Sequence, residues 1–212
     1  MIDRQIIIDT ATGLYLKFGI KSIRIDDLAD ELGVSKKTIY EQFRNKQELI
    51  GFVLDEIRSF IHKGIKKEID SRDDIFDSML GACIFFVTII DKLTSSFVYT
   101  LKKYQNTSYC DLKEFSDKEL YSRFEKLINN GIQKGYFRND LPFNTLFQIY
   151  IARISGIFNS SSDYQNILFT KETFFLMLVN NIRGITTIEG HKIFDEKFKK
   201  FLEDNKQLNI NI

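Results

Sequence analysis

Proline is nearly missing from this chain of 212 residues, with Pro142 the single instance, and there are only 11 glycines. So few breakers leave room for long, uninterrupted helices. Tryptophan is absent, and histidine and cysteine occur twice each. Cys83 and Cys110 stand alone, without the paired spacing of a zinc or redox motif. Cys83 lies inside an apolar run and reads as a core filler. His62 and His191 are not spaced to share a metal. No Gly-x-Ser-x-Gly, no phosphate-binding loop and no dinucleotide fingerprint is present. No catalytic residue, metal or cofactor is therefore expected. The longest apolar stretch, Met79–Ile90, is 12 residues, too short to cross a bilayer. The opening Met1-Ile2-Asp3-Arg4 is not a signal peptide, so a cytoplasmic location with no membrane partner is expected.

Apolar residues make up 43 % of the chain, phenylalanine alone accounts for 20 positions, and the formal net charge is +1. That composition fits an all-α protein with a large aromatic core. Residues 19–50 carry the most information. Ile25, Leu28, Ala29 and Leu32 recur at i, i+3, i+4 and i+7, one face of a short helix. Asp26 and Asp27 suit its first turn. Gly33 can end it in the left-handed conformation, and Val34 can fill the gap that follows. Ser35 is a natural N-cap for the next helix, expected over Lys36–Phe43. There Ile39 and Phe43 face inward onto Leu28 and Leu32. Lys36, Lys37, Thr38, Tyr40, Glu41 and Gln42 are left outside. Between Gly33 and Lys46 four cations oppose Glu41 alone. A basic, hydroxyl-rich face confined to one helical hairpin suits phosphates and base edges.

The run Thr38-Ile39-Tyr40-Glu41-Gln42-Phe43-Arg44-Asn45-Lys46 resembles the N-terminal domain of the TetR family of transcriptional regulators. The resemblance covers roughly residues 5–55. It implies an N-terminal three-helix DNA-binding head followed by a larger helical domain for ligand binding and dimerisation. The boundary is expected at 1–47 and 48–212. It further implies a homodimer on a near-palindromic double-stranded operator, with a small-molecule effector as a second partner. Position by position, Lys36, Lys37, Thr38 and Gln42 would approach base edges or adjacent phosphates. Tyr40 and Lys46 would clamp phosphates, with Arg24 adding another contact and Ser35 capping the reading helix. Lys37 stands where the family often has a small residue. Glu41 puts a negative charge on the reading face, where it would accept from cytosine or pair with Lys37.

Outside this head the pattern is helical throughout. A first helix is expected over 3–18, with Ile7, Ala11, Leu14 and Phe18 as its buried stripe. A fourth opens at Asn45, the expected N-cap, with Glu48 completing a capping box, and runs to Asp70. Others follow at 72–93, 95–105 and 111–134, then from Pro142 to Asn159, and at 171–186 and 190–204. Loops are expected at 105–108, 135–142 and 160–163, with a frayed tail after Asp204. The resemblance implies a cavity in the central helices. Phe85, Phe86, Ile89, Phe97, Tyr104 and Phe124 would surround an apolar or aromatic ligand there, with Thr88, Tyr99 and Tyr121 giving polar contacts. Plain core packing, with Thr88 bonded back to its own helix, explains the same letters. The family's dimer bundle would draw on Leu146, Tyr150, Ile154, Ile157 and Phe158, and on Phe174, Met177, Leu178, Asn181, Ile182 and Ile185. Packing within one chain competes for those faces. Two rival classes stay open: a helix-turn-helix protein with no small-molecule ligand, and a helical enzyme or carrier.

Overall fold

The computed structural model describes residues 2–159 and 170–206. Its elements are α1 (Arg4–Phe18), α2 (Ile25–Leu32), α3 (Lys36–Tyr40), α4 (Lys46–Ile65), α5 (Ile75–Lys92), α6 (Ser95–Tyr104), α7 (Asn106–Gln133), α8 (Phe143–Asn159), α9 (Lys171–Ile185) and α10 (Ile188–Asp204). The chain divides into two compact units. The first holds residues up to His62 together with Lys92–Ser116, and the second holds Lys63–Asp91 and Asp117 onward. The head expected for 1–47 lies wholly inside the first unit, which reaches further along α4 and takes in α6.

In the first unit, Asp3 caps α1 by accepting from the Gln5 amide at 2.9 Å. The buried stripe of α1 is Ile7, Ile8, Ala11 and Tyr15, rotated from the one expected. Phe18 is exposed, with the Lys17 ammonium over its ring. Tyr15 takes the inward position, where its aromatic ring lies against Lys46. At the far end of α1, α6 supplies hydroxyls to backbone groups that the helix leaves unpaired. Thr94 donates to the Leu16 carbonyl and Ser96 to the Phe18 carbonyl, while Thr100 accepts from the Ile20 amide. Gly19 between them sits at φ 83°, and a Cβ there would meet the Ser96 hydroxyl at 2.7 Å.

In the second unit, α4 continues past Ile65 as one π-helical turn, Lys66–Asp70. α5 then starts at Ile75, later than expected, because Asp74 accepts from the amides of Phe76 and Asp77 and so fixes the cap. The 105–108 loop, which belongs to the first unit, is not formed. Gln105 alone breaks the helical run, and Asn106, Thr107 and Ser108 open α7, whose first turn suits such residues as well as a loop does. Pro142 precedes α8 and offers its carbonyl to the Leu146 amide. Thr170 and Thr187 cap α9 and α10 with their hydroxyls. The aromatic core expected from composition is built here. Phe76 packs against Tyr136, Phe137 and Phe194, and Phe175 stacks on Phe198 and Phe201. The loop expected at 160–163 and most of the expected frayed tail lie outside the described residues.

Candidate nucleic-acid interface and apolar cavity

The α2–α3 hairpin is assembled from the inside. Ile25, Leu28, Ala29, Ile39 and Phe43 are buried. Gly33 takes the left-handed conformation at φ 65°, its amide turned back to the end of α2, and Val34 donates to the Ala29 carbonyl. Ser35 then caps α3, accepting from the Thr38 amide at 3.2 Å. The regular helix stops at Tyr40, but helical bonds continue as Glu41 donates to Lys37 and Phe43 to Ile39. The expected span to Phe43 is therefore a helix with a loosened last turn. Asn45 caps α4 through the Glu48 amide, and Glu48 reaches back to the amide of Arg44, one residue beyond the box expected.

This core leaves Ser35, Lys36, Lys37, Tyr40 and Glu41 exposed, with Thr38 and Gln42 half-buried. Lys36 pairs with Asp26 at 2.5 Å on a surface where both side chains are half-exposed. Such a pair contributes only about 0–1 kcal/mol and is readily exchanged for a phosphate. Lys37 and Glu41 form no ion pair, so the pairing considered for them is absent. Gln42 donates to the Ile2 carbonyl at 2.8 Å, tying the chain start to the reading turn. The Arg24 amide is held by the Asp27 carboxylate, and the Arg24 side chain is exposed at the mouth of α2.

Lys46 has partners within the chain. Its ammonium turns inward and donates to the carbonyls of both Ile20 and Ile23, the first at 2.6 Å. Burial pushes its pKa down, against the opposing pull of Asp27. The geometry makes Lys46 a brace for the loop between α1 and α2. The spacing of the motif was legible; the two carbonyls that compete for the ammonium belong to a loop remote in sequence.

Within the second unit, α5, α7, α8 and α9 enclose an apolar cavity with about 50 Å³ of free space. Each helix contributes one stripe: Met79, Ala82, Cys83 and Phe86; Leu120, Phe124 and Ile128; Phe147, Tyr150 and Ile151; Leu178, Asn181, Ile182 and Ile185. Among the described residues, no charged side chain lines it. Of the ligand residues expected, it gathers Phe86 and Phe124. Phe97, Tyr99 and Tyr104 lie in the first unit. The Phe85 ring occupies the space beside Gly64, and Thr88 bonds back to the Ile84 carbonyl. Ile89 does not line the cavity, and Tyr121 faces a separate shallow hollow with Asn144 and Gln148. The missed lining was present in the letters as i, i+3, i+4, i+7 stripes on α5 and α9. Of the expected α5 residues Phe85, Phe86, Thr88 and Ile89, only Phe86 lies on the stripe that lines the cavity.

The faces expected to dimerise are partly consumed inside the chain. Phe174, Ile182 and Ile185 are buried, and Tyr150, Leu178 and Asn181 line the cavity. The Tyr150 hydroxyl donates to the Asn181 carbonyl and Arg153 to its side chain, joining α8 to α9. Leu146 and Met177 are half-buried, and among the described residues Ile149 is an exposed large apolar residue on α8, which the stripe omitted. The side chains of Ile154, Ile157 and Phe158 lie outside the described residues. Among the described residues, no helix is long and apolar enough to cross a membrane, and no His, Cys, Asp and Glu cluster could hold a metal.

A buried helical hairpin presenting a short basic helix, followed by a helical second unit, defines a helix-turn-helix DNA-binding protein. The family model for bacterial regulatory proteins of the tetR family matches residues 7–51. The transcriptional repressor KstR2 of Mycolicibacterium smegmatis is 20% identical over 148 residues, 68% of this chain and 72% of that protein. The regulator YvaF of Bacillus subtilis is 24% identical over 170 residues, 79% of this chain and 88% of that one. A crystal structure of a transcriptional regulator from Saccharomonospora viridis in complex with choline superposes with a TM-score of 0.71 at 20% identity, covering 87% of this chain and 97% of that one. Residues 7–51 thus carry the DNA-binding region of the tetR family, and the chain is similar over most of its length to transcriptional regulators of that kind.

Proposed function

We propose that this protein is a cytoplasmic, homodimeric repressor that binds a near-palindromic operator and releases it on binding a small, neutral, apolar ligand. The observation that carries the DNA-reading part is the exposed face of α3. Lys36, Lys37 and Tyr40 point to solvent from a helix pinned by fully buried Ile39 and Phe43. In the major groove, Lys37 would donate to guanine O6 and N7, and Tyr40 to a phosphate. Arg24, Ser35 and Thr38 would add contacts at the groove edge. Glu41 would accept from cytosine N4, now that Lys37 does not neutralise it. Gln42 would reach adenine only by leaving the Ile2 carbonyl.

The effector reading rests on the cavity. The described residues of its lining carry no charge, so a neutral, hydrocarbon-like molecule fits its chemistry. Its 50 Å³ is far below the roughly 300–1,000 Å³ that holds a drug-sized ligand. A ligand would therefore bind an opened form of the four-helix core, and binding that form more tightly is what would shift the population away from the DNA-competent state. The same small volume favours the second reading, a regulator with no small-molecule effector.

Selection of bound duplexes from a random pool at near-physiological salt tests the first reading. An enriched palindrome is the expected result, and no enrichment by folded protein overturns it. Titration of the selected duplex complex with apolar compounds tests the second. Release of DNA supports the effector, and unaltered binding across the panel supports the ligand-free regulator.

A further inference from the structure

The C-terminal end of α6 carries a cluster that the helix-turn-helix does not use. Segments 17–24 and 99–104 together hold five cations, Lys17, Lys21, Arg24, Lys102 and Lys103, and no carboxylate. The fold brings Lys21 and Lys103 together at Tyr104. Lys21 donates to the Tyr104 hydroxyl at 2.9 Å and lies over its ring at 4.5 Å. Lys103 donates to the Tyr99 hydroxyl at 3.0 Å and lies near both rings. Tyr99 is 59% exposed and Tyr104 42%. Neither Lys21 nor Lys103 is paired with a carboxylate among the described residues, in contrast to Lys36 with Asp26.

Two ammonium groups held against phenols in place of carboxylates keep their full charge available to an incoming anion. The crowding shows on Tyr104, whose pKa is lowered by the hydrogen bond from Lys21. The position is as informative as the charge. Gln105, next in sequence, exchanges amide hydrogen bonds of 2.6 and 2.8 Å with Gln47 in the first turn of α4. Lys21 itself lies in the loop braced by Lys46, three residues before Arg24. The cluster is thus continuous with the edge of the hairpin proposed to meet DNA.

We infer that Lys21 and Lys103, positioned by Tyr104 and Tyr99, form a second phosphate-binding surface that grips the duplex backbone outside the bases read by α3. This rests on the DNA-binding reading above. A duplex extends past the groove that α3 would occupy, and its evenly spaced phosphates suit point charges that carry no sequence information. An acidic protein face would suit the same charge but lacks the continuity with the hairpin.

The test uses the full-length protein and its selected operator in two lengths, one trimmed to the palindrome and one with ten flanking base pairs at each end. Binding is followed by fluorescence anisotropy over a range of salt, for wild type and for Lys21→Gln with Lys103→Gln. Four ammoniums per dimer are removed. The expected result is a log–log salt slope reduced by about 3–4 on the long duplex, at about 0.9 per contact, with little change on the trimmed one. Lys21→Arg with Lys103→Arg should restore the slope. Equal slopes for wild type and the glutamine variant on the long duplex overturn the inference and leave an acidic protein as the partner class. An equal loss on both lengths overturns the flanking placement. Failure of wild type to bind either duplex is the separate failure of the DNA-binding reading, and the inference falls with it.

Discussion

Lys46→Met separates bracing from clamping. Methionine keeps an apolar stem in place of lysine's and removes the ammonium that holds the Ile20 and Ile23 carbonyls. A hydrogen bond to a charged group contributes about 1.5–3 kcal/mol when buried. Lys46 is only half-buried, so water replaces part of what is lost and part of the desolvation cost disappears with the charge. The net cost is about 1–2 kcal/mol for the pair of bonds. In a chain of this length that lowers the thermal midpoint by about 2–8 °C, since each kcal/mol moves it about 2–4 °C. The assay is a thermal unfolding curve run beside an operator salt titration. The brace predicts a lowered midpoint with a salt slope within a few tenths of wild type. A clamp predicts an unmoved midpoint and a slope reduced by about 1 per subunit. The second pattern would refute the assignment made from the two carbonyl contacts.

Lys37→Ala should alter base preference at one operator position by about 1–3 kcal/mol while leaving stability unchanged, and repeating the duplex selection with the variant checks it. Gly19→Ala forces a side chain into a backbone region that is almost exclusive to glycine and against the Ser96 hydroxyl, so urea unfolding should show a loss of about 2 kcal/mol or more. Native protein treated with iodoacetamide at pH 8 should label Cys110, which is exposed, and spare Cys83, whose buried thiol is pushed up to about 12; both should label in denaturant. The same burial keeps the Cys83 proton on the folded chain after the unfolded chain has lost it. Cys83 therefore withdraws stability as pH rises past the ordinary thiol range, and Cys83→Ala should flatten that alkaline decline.

What was legible in the letters followed local rules. The α2–α3 hairpin, its Gly33 stop and its Ser35 cap are decided by neighbours in sequence, and they form as read. Helix ends were misplaced where a side-chain cap decided the start, as Asp74 does for α5. Sites made by residues far apart in sequence were the least legible. The cavity is a convergence of four stripes, and periodicity names each stripe without saying which four meet. Tyr99 and Tyr104 read as ligand contacts because they are aromatic and near the right helix. They stand on the outer side of α6, where their hydroxyls meet lysines. The spacing of a motif gives Lys46 a phosphate role, and says nothing of its partners within the chain, which come from a loop more than twenty residues earlier.

The hydroxyls of Thr94, Ser96 and Thr100 bear on how freely this head could be exchanged between proteins. They complete the end of α1 from a segment about eighty residues downstream. A graft of residues 1–47 onto a foreign sensor would carry the reading helix but leave the carbonyls of Leu16 and Phe18 and the amide of Ile20 without those partners. Recombination that respects the sequence boundary would cut across the packing boundary. Chimeras should work only when the recipient supplies a matching α6 or brings this one along, so the unit to transplant is the discontinuous one.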